Sequence, residues 1–380
     1  MKYAHKAYRF RLYPNQMQQR LMAKTFGCVR LVYNYYLDKK TRTYEETGKS
    51  MSYTQCAADL VTFKKENSFL KEVDSISLQQ ALRHLDTAFA SFFRDKKIGY
   101  PRFKSRKNHH ASYSTVCVNQ NIRLEGNHLI LPKLGRVRTR KHREIPETHE
   151  LKSVTVIREG TGKYYASILY EYICDENQVD IFQAKAEDFL GIDYAMDGMA
   201  VFSDGSRCRY PGYFRKSRGR LAREQRKLSH CRKGSRNYEK QRIKVACCHE
   251  KVRNQRKDFH HKKSHELAER YIGIAVEDMD MKAMSQCLHL GRGIMDNGYG
   301  IFREMLSYKL KERGKMLVKV DRFYPSSKTC SVCGRVKSEM ALTERIYVCE
   351  CGNEMDRDVN AAVNIREEGR RIMKAAHICA

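Results

Sequence analysis

Two short apolar runs, each ending in an acid, constrain this chain most. Phe189-Leu190-Gly191-Ile192-Asp193 and Ile272-Gly273-Ile274-Ala275-Val276-Glu277 read as strands buried on both faces. A carboxylate at the end of such a strand is stable only if something compensates its charge. Between and after them, 198–202 reads as the second strand of a hairpin, and 203–205 turns the chain again. Residues 215–269 read as long, helical and basic, 300–311 as a helix, 316–320 as a strand, and Asp358 onward as a final helix. Strands alternating with helices predict an α/β domain.

The first half has a different grammar. Residues 3–13 alternate as a strand, with Tyr8, Phe10 and Leu12 on one face and Arg9 and Arg11 on the other. Pro14-Asn15 ends it. Helical spacing of apolar residues follows over 16–47, 53–66 and 77–96. A basic, turn-rich segment, 99–106, closes this helical block. From 112 to 172 short strands at 122–124, 129–131, 154–157 and 164–172 predict a small β-barrel or sandwich. Its expected loops carry Lys133, Arg136, Arg138, Arg140, Lys141, His142 and Arg143. The first strand could join this unit by pairing at its edge. Residues 175–187 read as a polar linker.

The 380 residues carry a net charge of +29. Self-repulsion on that scale favours a polyanionic partner, and each phosphate neutralised releases counterions. Residues 215–263 alone hold 19 Lys/Arg against four acids. No apolar run reaches the roughly 18–20 residues that a spanning helix needs. The N-terminus has no apolar export region, so a cytoplasmic, nucleoid-associated protein with reduced thiols is expected.

Asp193, Glu277 and Asp358 could converge from two strands and a helix terminus to hold hard cations through oxygen ligands. A pair of Mg2+ ions there would activate water and stabilise the leaving oxygen of a phosphodiester. Each acid also has a plainer reading. Asp193 could be a turn or cap residue, Glu277 an ion-pair partner of the basic helix, and Asp358 an N-cap. Asp356 is the nearest competitor of Asp358, as N-cap or supporting group. Asp197, Asp204, Asp278, Asp280 and Asp321 are less suitably placed. Near the C-terminus, Cys330-Ser331-Val332-Cys333 and Cys349-Glu350-Cys351 supply four thiolates from two tight turns, each followed by glycine (Gly334, Gly352). Tetrahedral Zn2+ takes such a set, with no open position for catalysis.

These residues together resemble the TnpB/OrfB family of insertion-sequence-encoded RNA-guided DNA endonucleases, relatives of type V CRISPR effectors. The resemblance rests on Tyr8-Arg9-Phe10-Arg11-Leu12-Tyr13-Pro14, 99–106, Leu131-Pro132-Lys133-Leu134-Gly135, Gly191-Ile192-Asp193, 253–264, Val276-Glu277-Asp278, 324–334 and 356–365. It implies a multidomain α/β plus β chain. Residues 1–14 with 108–175 would form a β-barrel wedge domain, and 15–107 a helical recognition lobe. Residues 185–324 with 356–380 would form an RNase H-like (RuvC-like) nuclease domain, with 325–355 a zinc-finger insert. Asp193, Glu277 and Asp358 would be its catalytic, Mg2+-binding acids. Cys330, Cys333, Cys349 and Cys351 would bind structural Zn2+. A guide RNA from the transposon end and target double-stranded DNA would be the partners of a monomer, with base pairing supplying sequence specificity. The chain departs from many relatives at Ala195, where they have glycine, and in the short Cys349–Cys351 knuckle. Two other functions keep the same fold: a nuclease-inactive RNA-guided repressor, and a transposase that joins DNA ends. A structural zinc-ribbon binder is a third.

Overall fold

A computed structural model describes residues 2–95, 97–174, 179–195, 198–287, 293, 296–341 and 343–378. Lys96, linker residues 175–178, Asp197 and residues 379–380 lie outside them. The chain divides into two compact units, Met1–Asp175 and Glu176–Ala380. No helix among the described residues is long and apolar enough to cross a membrane.

In the first unit, β1 (Lys2–Tyr13) leads into α1 (Gln16–Thr47). Asn15 starts the helix through a reciprocal capping box with Gln18, and Gly48, at φ 69°, ends it. Two more helices follow, α2 (Tyr53–Glu66) and α3 (Ser75–Arg94). Next come β2 (Ala111–Val116), β3 (Arg123–Glu125), β4 (His128–Leu131), β5 (Gly135–Arg140), β6 (Glu150–Arg158) and β7 (Tyr164–Cys174). They form one antiparallel sheet in the order β2-β6-β7-β1-β5-β4-β3. The first strand is therefore interior to the sheet, not paired at its edge. Arg136, Arg138 and Arg140 are not in a loop. They form the outward rail of β5, whose inward residues Val137 and Thr139 are buried. Two small inward residues between three arginines left too weak an apolar alternation to read as a strand.

In the second unit, β8 (Phe189–Tyr194), β9 (Ala200–Phe202) and β10 (Arg207–Cys208) form an antiparallel meander. Then come α4 (Tyr213–Ser229), α5 (Arg236–Arg270), β11 (Gly273–Glu277), α6 (Met281–Cys287), α7 (Tyr299–Lys311) and β12 (Met316–Val320). The chain ends with a β13 (Ile346–Val348) and β14 (Glu354–Asp356) ribbon and α8 (Arg357–Ile378). The sheet order is β10-β9-β8-β11-β12, with β8, β11 and β12 parallel. The basic stretch read as one long helical region is a hairpin of two helices. It breaks where Gly234 takes φ 83° and Ser235 caps α5. The Gln241 amide donates to Glu224 Oε2 at 2.7 Å and ties α5 back to α4.

One face of the sheet packs on α5 and α7 through Leu190, Ile192, Ile274 and Val276. The other carries Gly191, Gly273 and Ala275, and α8 lies against it. A side chain at Gly191 would run into the Ala362 carbonyl, and one at Gly369 into the Ala275 methyl. Small residues on both partners let helix and sheet backbones approach this closely.

Candidate functional site

Strand register sets two of the three acids side by side. Val276 pairs with Ile192 in parallel, so the next residues, Glu277 and Asp193, are neighbours at the ends of adjoining strands. Adjacent strands lie about 4.8 Å apart. Asp193 also faces Val201, which faces Arg207, and Glu277 faces Val320. One row, Arg207-Val201-Asp193-Glu277-Val320, thus crosses all five strands. Period-two alternation puts Asp193 on the face of Gly191, and Glu277 on the face of Gly273 and Ala275, which α8 covers.

The third acid arrives from above. On α8, Asp358 shares a face with Ala361, Ala362, Ile365 and Gly369, at helical spacings of three, four, seven and eleven. Ala362 sits over Gly191, two residues before Asp193, so Asp358, one turn earlier, projects over the row. Asp356 is the N-cap: its Oδ1 accepts from the N–H groups of Asp358 (3.0 Å) and Val359 (3.1 Å). That leaves the Asp358 carboxylate out of the cap.

The electrostatics agree with this convergence. Burial pushes the Asp193 carboxyl up to about 8, and the charges of Glu277 and Asp358 push in the same direction. Burial also raises Glu277. Neither acid has an ion-pair partner among the described residues. The cations nearby go instead to Asp278, which meets Lys319 at 3.0 Å, Arg303 at 3.8 Å and Arg322 at 3.9 Å. Glu277 therefore does not serve as the basic helix's ion-pair partner. The remaining acids have local duties. Asp204 accepts from Tyr271 and Ser206, Asp280 caps α6, and Asp321 closes a turn at Phe323. Two buried acids with no ion-pair partner among the described residues, joined by a third that meets the Arg207 guanidinium at 3.6 Å, make a site suited to a divalent cation.

The four cysteine sulfurs form a tighter set. All lie within 4.8 Å of one another, with 3.7 Å between Cys330 and Cys351 and 3.6 Å between Cys333 and Cys349. Four sulfurs each about 2.3 Å from a tetrahedral zinc stand about 3.8 Å apart, so the donor set fits Zn2+. The short second knuckle does not spoil it. Gly334 (φ 74°) and Gly352 (φ 88°) turn the chain after each pair. Burial alone would push the Cys330 thiol up, but the N–H groups of Cys333 and Val332, with the side chains of Asn353 and Cys333, together draw it down to about 6. No trio of carboxylate oxygens among the described residues closes to the same 4.8 Å.

Three residues that the sequence reading passed over join these features. Asn360, fully buried on α8, donates to the Thr329 carbonyl (2.7 Å) and accepts from the Ser331 N–H (3.0 Å). Asn364 donates to the carbonyls of Ser326 (2.8 Å) and Thr329 (2.6 Å). The cysteine module is thereby fastened to the helix that carries Asp358. Arg207 reaches from β10 to Asp356 (2.8 Å) and towards Asp358 (3.6 Å). Asparagines at i and i+4 on an Ala-rich helix were the available signal for the first two. Arg207 had none, because its place depends on cross-strand register.

Comparison with known proteins follows the same lines. Over 96% of this chain and 99% of the other, the fold resembles the protein in a cryo-EM structure of the Cas12f1-sgRNA-target DNA complex, with a TM-score of 0.51 and 13% sequence identity. The fold is thus of the Cas12-like, mixed α/β multidomain class. Residues 172–288 match the OrfB/IS605 family described as "Probable transposase", and residues 299–365 match the "Cas12f1-like, TNB domain". Residues 1–49 match a family described as "Helix-turn-helix domain", although here they form a strand and one unbroken helix. A Streptomyces pristinaespiralis protein named "Putative RNA-guided DNA endonuclease" is 38% identical over 97% of this chain and 90% of its own length. Escherichia coli (strain K12) "Putative RNA-guided DNA endonuclease InsQ" is 31% identical over 97% and 93%. The chain belongs to the TnpB/OrfB family.

Proposed function

We propose that this protein is an RNA-guided DNA endonuclease of a transposable element, and that it cuts at Asp193, Glu277 and Asp358. The observation that carries the cutting site is the row across the sheet. It sets two acids side by side with no cation to neutralise them, beneath a helix whose first turn brings a third. In this reading the five-stranded sheet with α8 is an RNase H-like nuclease domain and 325–355 its zinc-finger insert. The seven-stranded sheet is the wedge domain and 15–107 the recognition lobe.

Asp193, Glu277 and Asp358 would hold Mg2+, which when bound supplies Lewis-acid activation of water and of the leaving oxygen. The chain's own part is to fix the acids. β8 and β11 hold Asp193 and Glu277 in register, Asp356 caps α8, and the close contact of Gly191 with Ala362 sets the height of Asp358 above the sheet. The α4–α5 hairpin offers its many Lys and Arg side chains to phosphates of the RNA scaffold or the guide–DNA duplex. Base pairing then chooses the target, and the protein needs to read only a short flanking motif.

The test is to purify the chain with its copurifying RNA, sequence that RNA, and supply Mg2+ and a plasmid that matches the guide. Cutting confined to the matched plasmid and abolished by RNase pretreatment is expected. DNA joining or cutting that survives RNase would favour a plain transposase.

A further inference from the structure

Among the groups around the acid row, Arg207 has the most specific unexplained placement. It stands in the same cross-strand row as Asp193, on the far side of Val201. Its guanidinium is split between two tasks. Nη2 is anchored on Asp356 Oδ2 at 2.8 Å, while Nη1 stands 3.6 Å from Asp358 Oδ2, beyond a hydrogen bond. Its side chain is 39% exposed. Of the other basic side chains near the acid row, none among the described residues stands within 4 Å of Asp193, Glu277 or Asp358. Lys319 pairs with Asp278 at 3.0 Å, Arg322 and Arg303 stand 3.9 and 3.8 Å from it with the Arg303 Nη1 buried and without a hydrogen bond, and Arg357 donates to the Ala341 carbonyl at 2.9 Å. A scissile phosphodiester is anionic and must enter beside three carboxylates. A planar fork with one arm fixed and the other aimed at the site is suited to a phosphate oxygen.

We propose that Arg207 is a further catalytic residue, one that receives a non-bridging oxygen of the scissile phosphate through Nη1 while Asp356 holds the other half of the fork. This rests on the carboxylates being the cutting site. Asp356 then has two functions, as cap of the helix that carries Asp358 and as anchor of the arginine. Developing charge on the phosphoryl oxygens would meet a cation already oriented, which is where such a donor lowers a barrier most.

The test uses the full RNA-bound protein and a guide-matched DNA whose cut position has been mapped. Arg207→Ala should lower the maximal cutting rate at saturating Mg2+ by about a hundredfold, the loss typical of a preorganised charge-stabilising donor. The Mg2+ concentration for half-maximal cutting should stay within about twofold, because ground-state metal binding is not what is removed. Arg207→Lys should recover only part of the rate, since an ammonium cannot fork. A neutral methylphosphonate at the scissile position should bring wild type and Arg207→Ala to similar rates. Mn2+ binding followed by electron paramagnetic resonance should be unchanged in both variants, which also shows that the site has folded.

A rise in the Mg2+ requirement with the full rate restored at high Mg2+ would overturn the proposal and make Arg207 a positioning residue for Asp358. An unchanged rate would overturn it too and leave a surface ion pair. So would a rate gap between wild type and Arg207→Ala that persists on the methylphosphonate. The Asp193→Ala protein separates the two levels. If it still cuts, the carboxylate reading itself has failed, whatever Arg207 does.

Discussion

The two metal-binding candidates in the second unit differ in how finished they are. The sulfurs of Cys330, Cys333, Cys349 and Cys351 already stand at the separations of a tetrahedral zinc shell. Asp193, Glu277 and Asp358 are brought to one place by register and helix packing but are not drawn in to such spacing. The difference follows from ligand chemistry. A closed thiolate shell is part of the fold, and zinc binding is folding free energy. Mg2+ keeps several waters and is completed by substrate phosphates, so its protein ligands need only converge. On the proposed reading, the cysteine centre would stay shut and the carboxylate centre would admit DNA.

The largest effect expected from this contrast is on cutting. Asp193→Ala or Glu277→Ala should remove several kcal/mol of transition-state stabilisation, on the order of 10³-fold or more in rate. RNA binding should be spared, as read by gel shift, and a cooperative melt should be retained, as read by calorimetry. The cysteine centre should behave in the opposite way. Cys333→Ser should lose zinc by elemental analysis and expose the 325–355 module to protease, since structural zinc contributes on the order of 10 kcal/mol to small domains. An intact, zinc-loaded module in that variant would break the contrast.

A smaller effect should link the two centres. Asn360→Ala leaves the Ser331 N–H and Thr329 carbonyl without their partner, at a cost of about 1–3 kcal/mol. Cutting and zinc retention should then weaken together, because one helix carries Asn360 and Asp358. If titration of zinc release shows no change while cutting falls, the brace is not the link.

A separate effect is one of pH. With Asp193 pushed up to about 8, the metal-free folded chain keeps a proton that the unfolded chain sheds near pH 4. Stability without metal should therefore fall as pH rises between those values. Mg2+, or Asp193→Asn, should flatten the slope in thermal melts, while Cys333→Ser should not.

How much of this could be read from the chain depended on whether the signal was local. The acids at the ends of apolar runs and the paired cysteines declare themselves within a few residues. The helices over 16–47 and 53–66 and the strand at 316–320 appear where the spacing of apolar residues puts them. What was hidden depends on partners distant in sequence. β1 lies inside its sheet because β5 and β7 flank it. β5 went unseen because its inward residues are only Val137 and Thr139. The α4–α5 hairpin turns within a basic run whose charge masks the break. Arg207 gains its place beside Asp193 through two strand pairings, and Asn360 and Asn364 theirs through a loop some thirty residues earlier.

The most direct test is where metals bind. Crystals of the RNA–protein complex grown with Zn2+ and soaked in Mn2+ would separate the two by anomalous scattering at each absorption edge. The account predicts manganese peaks about 2.0–2.2 Å from carboxylate oxygens of Asp193, Glu277 and Asp358, and one zinc peak among the four cysteine sulfurs. Crystals with no manganese at the carboxylates, or with manganese held by only one of them, would contradict it.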